Sequence, residues 1–291
     1  MVKKYSQLYL ETRKALLATE DLQSAGMLAR QLLCHVSGKT QEQILTNMEL
    51  YASEEICTRV EELTKRVLSG EPLAYIIGEW EFYGLPLYVD RNVLIPRDDT
   101  CAVAALAIKQ GLTLENDPRI LDLCTGSGCI GLAVASRVKD ARVTLADLSK
   151  EALAVAKKNI VRNRLSARVS CIQADATKKP SAFLGKFDMI VSNPPYIAAQ
   201  EMRELPHSVS GFEPHMALYG GDDGLDFYRA IVANYTQALK SGGYLCFEFG
   251  MGQGDDVCRI LTENQYTILE RTRDYNDRER AVIAQLVRKE D

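Results

Sequence analysis

The stretch Arg119-Ile-Leu-Asp-Leu-Cys-Thr-Gly-Ser-Gly-Cys-Ile-Gly131 decides the fold, because an apolar strand runs there directly into a glycine-rich turn and then into a helix. Gly126 and Gly128 allow the backbone to approach a ligand closely, and the helix N-terminus after them offers free N–H groups. Asp147 ends the next predicted strand, about twenty residues later, where a carboxylate can bind both hydroxyls of a ribose. The arrangement predicts a nucleoside-cofactor site.

The spacing Gly126-x-Gly128-x-x-Gly131 also fits a dinucleotide-binding turn, so on its own it discriminates poorly between cofactors. Two features favour S-adenosylmethionine over NAD. Asp122 lies at the end of the first strand, where a carboxylate would repel a pyrophosphate but could pair with the ammonium group of methionine. In addition, no second glycine-rich turn follows. A nicotinamide dehydrogenase, a non-catalytic nucleotide-binding scaffold and a turn that binds nothing are the alternatives.

Asp175-Ala176 follows the third predicted strand. In a doubly wound fold this loop flanks the adenine, so an acceptor there could bind the exocyclic amine. The alternative interpretation is a surface turn.

Strands and helices alternate after a helix that begins near Asp99, which predicts an α/β fold with a doubly wound, mainly parallel sheet. The strand candidates are 119–124, 142–147, 168–173, 187–192, 244–249, 266–273 and 279–287, and the helix candidates are 128–138, 149–163, 224–240 and 252–263. The last two strands have no helix between them, so we expect an antiparallel hairpin at the sheet edge.

Residues 1 to about 70 show the periodicity of short amphipathic helices, which must pack on each other to be stable. Thr40 followed by Gln43 fits a capping box, Ser53 can cap the next helix, and Ser37-Gly38 closes the helix before them. Alternation in Leu85–Val89 and Val93–Ile95 predicts a β-hairpin between the helical and α/β parts. We therefore expect a helical domain over 1–80, a hairpin linker over 81–98 and a catalytic domain over 99–291.

Composition bounds the functional class. The 35 Lys and Arg against 39 Asp and Glu leave a net charge of −4, and residues 1–85 carry nine basic against twelve acidic side chains. Nucleic-acid-binding modules usually show a basic excess, so a protein partner is favoured for the helical part. The eight scattered cysteines predict reduced thiols and no metal site. Neither a signal peptide nor a membrane span is indicated, so we expect a cytoplasmic protein, monomeric by default.

The stretch Phe187-Asp-Met-Ile-Val-Ser-Asn-Pro-Pro-Tyr196 is predicted to be a buried strand that ends in a candidate catalytic motif, Asn193-Pro-Pro-Tyr196. An amide nitrogen is a poor nucleophile because resonance, worth roughly 18–20 kcal/mol as a rotation barrier, delocalises its lone pair. The Asn193 side-chain oxygen and the Pro194 carbonyl can each accept one hydrogen of a planar NH2 group and so stabilise the charge that develops on nitrogen. Pro194 and Pro195 add rigidity, and Tyr196 can lie over the planar target. A strand end broken by prolines is the alternative.

The same arrangement serves any planar NH2 group, so it does not separate glutamine from adenine or guanine. A base target would also have to be flipped out of its stack or reached in a single strand.

Several further stretches extend the pattern: Gly78-Glu-Trp-Glu-Phe-Tyr-Gly84, Val93-Leu-Ile-Pro-Arg97, Leu121-Asp-Leu-Cys-Thr-Gly-Ser-Gly128, Phe212-Glu-Pro214, Gly220-Gly-Asp-Asp-Gly-Leu225, Glu248-Phe-Gly250 and Asp277-Arg-Glu-Arg280. With Asn193-Pro-Pro-Tyr196, they make the chain resemble the HemK/PrmC family, the bacterial release factor glutamine methyltransferases, over nearly its full length. The Asn193 motif is shared with DNA and RNA amino-methyltransferases, whereas the Ile95-Pro-Arg97 and Glu213-Pro214 segments are much more specific.

The resemblance implies a seven-stranded class I methyltransferase (Rossmann-like) domain, preceded by a small α-helical bundle domain that helps dock the release factor. It implies transfer of a methyl group from S-adenosylmethionine to the glutamine of the Gly-Gly-Gln loop, a modification of the translation termination machinery. By matching positions, Asn193 to Tyr196 would hold the glutamine. The cofactor would be lined by Cys124, Thr125, Gly126, Ser127, Gly128, Asp147, Ala176 and Asn193. A ribosomal-protein glutamine, or an exocyclic amine of DNA or RNA, is the alternative target.

One departure follows Arg97. The family usually has Pro, an acid, Thr and Glu, whereas this chain has Asp98-Asp-Thr-Cys101, so residue 101 is assigned no role. His35, His207 and His215 have no partner at ligand spacing. Glu248 could order the active-site loop or simply bind backbone. The long stretch from 197 to 223 is interpreted as a lid or docking loop.

Overall fold

A computed structural model of the chain describes residues 2–287, which divide into two compact units. The helical unit contains the residues up to Gly78 together with His207–Phe212. The α/β unit contains Glu79–Pro206 and the residues from Glu213 onward. The stretch after the Asn193 motif, predicted to be a lid or docking loop, therefore contributes to both units.

The helical unit is built from amphipathic helices whose ends the sequence marks. Its helices are α1 (Tyr5–Leu16), α2 (Leu22–Ser37), α3 (Gln41–Thr46), α4 (Glu54–Leu68) and α5 (Leu73–Ile77), with the later α9 (His207–Ser210), and a two-stranded pair joins β1 (Lys3–Lys4) to β2 (Tyr51–Ala52). The predicted capping box is confirmed, because Thr40 and Gln43 bond each other's backbone N–H reciprocally. Ser53 caps α4 as expected, and Gly38 closes α2 with φ +66°.

A β-hairpin forms in this region, but the prediction of its two strands is wrong. The hairpin pairs β3 (Glu79–Phe82) with β4 (Leu85–Tyr88), whereas residues 89–95 form no strand. Tyr83 and Gly84 between them have φ of +54° and +78°, the two left-handed residues that a tight hairpin turn matched to strand twist requires.

The hairpin belongs to the α/β unit and packs on a helix there. That helix is α8 (Lys150–Arg162). Its Asn159 side chain bonds both the N–H and the carbonyl of Tyr88, and its Arg162 guanidinium lies 4.2 Å from the centre of the Tyr88 ring. The strand pair is thereby held by a side-chain amide that satisfies its free edge.

The α/β unit is a seven-stranded sheet. Its strands are β5 (Arg119–Leu123), β6 (Arg142–Asp147), β7 (Val169–Gln173), β8 (Phe187–Ser192), β9 (Leu239–Glu248), β10 (Tyr266–Arg273) and β11 (Glu279–Leu286), in the order β10-β11-β9-β8-β5-β6-β7. Strands β9, β8, β5, β6 and β7 run parallel, and β11 is antiparallel to both of its neighbours, which confirms the predicted edge hairpin. The remaining helices are α6 (Cys101–Gly111), α7 (Cys129–Arg137), α10 (Asp226–Tyr235) and α11 (Gly254–Glu263).

Alternate residues of the central strands bury on opposite faces of this sheet, as the period of two in a strand requires. Ile120 and Met189 belong to the core with α6 and α7, whereas Leu121 and Ile190 belong to the core with α10 and α11. Because both faces are covered, the strands read as continuous apolar runs. Polar side chains are then left to the strand ends, where the functional residues lie.

Candidate active site

A cavity of about 440 Å³ opens at the carboxyl ends of the parallel strands of the α/β unit. From β5 the chain continues to β6 and β7 on one side, and β8 and β9 lie on the other side of β5. The strand order therefore reverses between β5 and β8, which is where doubly wound sheets bind ligands. The lining comes from the residues after these strands and from two further segments. The lining residues include 92–94, 96, 100, 124–127, 129–130, 147–149, 152, 174–177, 193, 195, 214–217, 219 and 227.

The glycine-rich turn forms the floor of one half of this cavity. Cys124, Gly126 and Gly128 all have positive φ, at +61°, +54° and +86°, so the backbone turns sharply and α7 begins directly behind it. Cys124, Thr125, Gly126 and Ser127 line the cavity, whereas Gly128 does not. The turn thus brings four of the five predicted cofactor residues to one wall.

Asp122 is placed differently from the prediction. It is fully buried beneath the turn and does not line the cavity. Its Oδ2 accepts hydrogen bonds from the Thr125 hydroxyl at 2.6 Å and the Gly131 N–H at 2.8 Å. Burial raises the pKa of this carboxyl to about 7, although these two bonds oppose the shift. Asp122 therefore braces the turn from behind, and direct contact with a methionine ammonium stays a prediction.

Asp147 lines the cavity at the end of β6. Its Oδ2 accepts the N–H of Gly126 at 2.9 Å, and its Oδ1 accepts the N–H of Ser149 at 2.9 Å. Burial raises the pKa of this carboxyl, and the backbone hydrogen bonds oppose the rise. Each carboxylate oxygen keeps a further lone pair, so both remain able to accept a hydrogen bond from a ribose hydroxyl.

One buried polar atom of the turn fits a site that a ligand completes. Ser127 Oγ has no hydrogen-bond partner among residues 2–287, and Ser127 lines the cavity. Buried polar atoms are normally paired, and an unpaired one is costly. The chemistry of the donor set, with carboxylates and free backbone N–H groups around an apolar slot, suits a nucleoside that carries an amino acid.

Asp175 and Ala176 both line the cavity after β7. The Asp175 carboxylate accepts the N–H of Thr177 at 2.9 Å and pairs with Lys178 at 3.1 Å, and the Thr177 hydroxyl bond holds its pKa below the usual range. The side chain is therefore committed to a local turn, and binding of an adenine amine by it stays a prediction. Ala176 is buried and offers an apolar contact.

Asn193 enters the cavity from the end of β8. Its Nδ2 donates to the Thr100 hydroxyl at 3.4 Å, and its Oδ1 accepts no hydrogen bond from any residue that the structure describes. This orientation directs the amide nitrogen to the protein and leaves the oxygen available as an acceptor, which is the atom that a planar NH2 substrate needs.

The residues after Asn193 divide between the cavity and the protein interior. Pro195 lines the cavity, whereas Pro194 and Tyr196 do not. A Cβ on Gly250 would lie 3.0 Å from Tyr196 Cδ2, so that ring packs tightly against the loop after β9. Burial raises the pKa of the Tyr196 phenol. In this geometry Tyr196 supports the motif from behind, and its contact with a substrate stays a prediction.

The second half of the cavity was missed by reasoning from the sequence. It comprises 92–94, Pro96, Thr100, 214–217 and Tyr219, and so includes His215, for which the sequence indicates no role. Its ring centre lies 5.7 Å from that of Tyr219. The signal in the sequence is the pair of family-specific segments Ile95-Pro-Arg97 and Glu213-Pro214, whose positions in the fold the sequence does not indicate.

The two predicted sequence domains match separate families. The PrmC N-terminal domain family matches residues 9–78, and the Methyltransferase small domain family matches residues 102–207.

Two relatives match most of this chain in sequence. The chain is 36% identical over 253 residues to a release factor glutamine methyltransferase of Clostridium acetobutylicum, a match that covers 87% of this chain and 88% of that protein. It is 39% identical over 264 residues to a release factor glutamine methyltransferase of Haemophilus influenzae, with the same 87% and 88% coverage.

The fold recurs among solved structures. A methyltransferase from Pyrococcus furiosus is similar with a TM-score of 0.52 and 16% identity, over 78% of this chain and 99% of that one. Within residues 2–287, no helix is long and apolar enough to cross a membrane, and no three His, Cys, Asp or Glu side chains gather as a metal site would require.

Proposed function

Because this chain belongs to the release factor glutamine methyltransferase family, we propose that it transfers a methyl group to the side-chain amide nitrogen of the glutamine in the Gly-Gly-Gln motif of bacterial class I peptide chain release factors. The fold and family make it a methyltransferase that uses S-adenosylmethionine. The observation that carries the substrate proposal is Asn193, whose Oδ1 is left without a partner at the wall of the cavity.

The cofactor would be held by the wall that contains the glycine-rich turn. Its ribose hydroxyls would bind Asp147, the turn from Cys124 to Ser127 would follow the methionine portion, and Leu148 and Ala176 would contact the adenine. When bound, S-adenosylmethionine supplies a methyl carbon whose bond to the sulfonium sulfur breaks as the amide nitrogen attacks.

The chain's own contribution is to orient and polarise the glutamine amide. One hydrogen of its NH2 group would be accepted by Asn193 Oδ1, which fixes the amide plane so that the nitrogen lone pair, perpendicular to that plane, faces the methyl carbon. The Pro194 carbonyl oxygen does not line the cavity, so its contact with the other hydrogen stays a prediction. As positive charge develops on nitrogen these acceptors bind its hydrogens more strongly, and such preorganised acceptors are the largest class of catalytic contribution. The product nitrogen then loses a proton easily, so no general base is needed before transfer.

The opposite wall would exclude water from the reacting atoms. Val93, Leu94 and Pro96 approach from one side, and Pro214 and Met216 from the other, all at the cavity surface. A cavity of this composition binds a planar side chain by apolar contact and strengthens the polar contacts within it. The helical unit, with its slight acidic excess, would contribute to docking the release factor.

Transfer of labelled methyl from S-adenosylmethionine tests the target directly. The acceptors are purified release factor, its variant with Gln→Asn in the Gly-Gly-Gln motif, ribosomal protein and DNA. We expect labelling of the native factor alone. Equal labelling of the Gln→Asn variant would show that this glutamine is not the methylated residue. Labelling of ribosomal protein or DNA instead of release factor would show that the substrate class is wrong. We further propose that the enzyme acts as a monomer and binds no nucleic acid directly, which sedimentation and a DNA-binding titration check.

The Asn193→Ala variant tests the clamp. Removing one positioned hydrogen-bonding group typically costs about 10²–10³ in turnover, so we expect kcat to fall by that factor while cofactor affinity changes by less than about threefold. Asn276→Ala is the matched control, because Asn276 is exposed in a turn and does not line the cavity. A turnover for Asn193→Ala within threefold of native contradicts the clamp.

A further inference from the structure

We propose that Glu248 is a positioning residue which, through Thr100, decides which end of the Asn193 side-chain amide faces the cavity. The inference rests on the proposed function, since the oriented amide matters only if it holds a planar NH2 substrate. It concerns Glu248, which does not line the cavity, and Thr100, which lines it beside Asn193.

The three side chains meet because of strand register. Ser192 pairs with Phe247, so the next residues, Asn193 and Glu248, leave neighbouring parallel strand ends side by side. Thr100 reaches them from the single turn Asp98–Thr100 that precedes α6. Thr100 and Glu248 are 2% and 1% exposed, so water does not compete for their hydrogen bonds.

The hydrogen-bonding capacities decide the orientation. A threonine hydroxyl can donate or accept, so Thr100 alone would tolerate either face of the Asn193 amide. An ionised carboxylate only accepts. Thr100 and Asn193 are the uncharged side chains that lower the pKa of the neighbouring Glu248 carboxyl, and Glu248 Oε2 has no hydrogen-bond partner among the described residues. On this proposal the buried Thr100 hydroxyl donates its proton to that free carboxylate oxygen. Toward Asn193 it acts as the acceptor of Nδ2 at 3.4 Å, which leaves Oδ1 for the cavity.

The positive charge of Arg280 stabilises the ionised form of Glu248, whereas the negative charge of Asp99 and burial oppose it. Arg280 is the neighbouring cation, and it also pairs with Asp99 at 3.0 Å and Asp274 at 3.3 Å. The titratable groups that act on or respond to Glu248 come from every surrounding element. They are Asp99 of the turn before α6, Cys101 at the start of α6, Cys129 of α7, Tyr196 after β8, Tyr228 of α10 and Arg280 of β11. Arg280 is thus shared among three carboxylates, so the compensation of Glu248 is partial.

Protonation of Glu248 changes the direction of the hydrogen bonds that orient the Asn193 amide. Burial raises the pKa of its carboxyl to about 7, against the hydrogen bonds and the Arg280 charge. A protonated carboxyl can donate to Thr100, whose own proton is then free to bind Asn193 Oδ1, and the amide can turn its NH2 group to the cavity. With the hydrogen bonds running in that direction, the productive orientation is favoured above about pH 7 and reversed below it.

The decisive experiment compares kcat across pH 6–9 for native enzyme, Glu248→Gln, Thr100→Val and Thr100→Ser, with release factor as substrate. We expect native kcat to rise with pH through an inflection near 7, falling about tenfold per unit below it. Glu248→Gln resembles the protonated carboxyl, so its kcat should be low and independent of pH, about tenfold or more below native at pH 8, with the KM for cofactor within twofold. Thr100→Val should behave likewise, and Thr100→Ser should retain the native profile.

Glu279→Gln is the matched control, since Glu279 pairs with Arg271 on the same strand as Arg280 but outside this cluster. It should keep the native profile. Asp122 also titrates near pH 7, but because it braces the cofactor turn its titration should alter cofactor KM rather than kcat.

A Glu248→Gln enzyme that keeps the inflection near pH 7 in kcat overturns the proposal, whether its rate is lowered or not. Absence of methyl transfer by the native enzyme would instead refute the proposed function. In that case the orientation is read directly from the Asn193 side-chain ¹⁵N resonance, assigned with Asn193→Ala. We expect this resonance to shift across pH 6–8 in native protein and to stay constant in Glu248→Gln. A shift that persists in the variant would overturn the proposal.

Discussion

Replacement of Glu213 by alanine should loosen the substrate-side wall of the cavity. Glu213 is a buried carboxylate whose Oε2 accepts the buried Ile95 N–H at 3.2 Å and whose Oε1 pairs with Arg97. Its two contacts tie the segment containing Ile95 to the segment 214–217, and both segments line the cavity. The side chain is 1% exposed, whereas Arg97 is 42% exposed.

The magnitude follows from these two contacts. Leaving the buried Ile95 N–H without an acceptor costs about 1–3 kcal/mol. The pair with Arg97 contributes only about 0–1 kcal/mol, because solvent screens the half-exposed guanidinium. A total of about 2 kcal/mol corresponds to a fall in Tm of roughly 4–8 °C for a unit of this size. If the same energy is lost from the closed wall, KM for the release factor should rise up to about thirtyfold.

The measurements are thermal unfolding, KM for release factor and cofactor affinity for native, Glu213→Ala and Glu213→Gln proteins. The glutamine variant is the matched control, because its carbonyl still accepts the Ile95 N–H and only the charge is lost. We expect its Tm to lie closer to the native value than to that of the alanine variant. An alanine variant that melts within 1 °C of native and keeps KM within about twofold would refute this account of the wall.

Two further substitutions test the cofactor side. Gly131→Ala would place a Cβ 2.3 Å from Leu145 Cδ2 and 2.9 Å from Asp122 Oδ2, so we expect a loss of about 1–3 kcal/mol in unfolding free energy, and an unchanged denaturant midpoint would contradict the packing. Asp147→Asn should weaken S-adenosylmethionine binding by about tenfold or more in calorimetric titration, because charge-assisted bonds are roughly twice as strong as neutral ones. The exposed Asp117→Asn is its control, and equal affinities for the two variants would exclude the ribose contact.

The catalytic sheet was predictable because its signals are local. All seven strands overlap the stretches that the sequence predicts, and glycines mark the turn between β5 and α7. At Gly131 a Cβ would overlap Leu145, so the sequence records a close approach that needs no knowledge of the rest of the chain.

The hairpin shows where local reasoning failed. Alternation in 85–95 predicted the turn at Asp90–Asn92, yet the chain turns at Tyr83-Gly84. A tyrosine with positive φ carries no turn signature, and β4 is held by Asn159, 71 positions away from Tyr88. Strand pairing depended on a tertiary contact that periodicity does not encode.

The sequence by itself determined the class of chemistry, because residue types limit what a strand end can do: glycines admit a nucleoside, and Asn193 with two prolines presents acceptors to an NH2 group. Only the tertiary structure decided which atoms are available. Asp122 bonds the turn instead of lining the cavity, and Thr100, 93 residues from Asn193 in sequence, bonds its amide nitrogen. The reason is physical: a side chain's hydrogen bonds depend on which partners folding brings within about 3 Å, and those partners come from strand order and register.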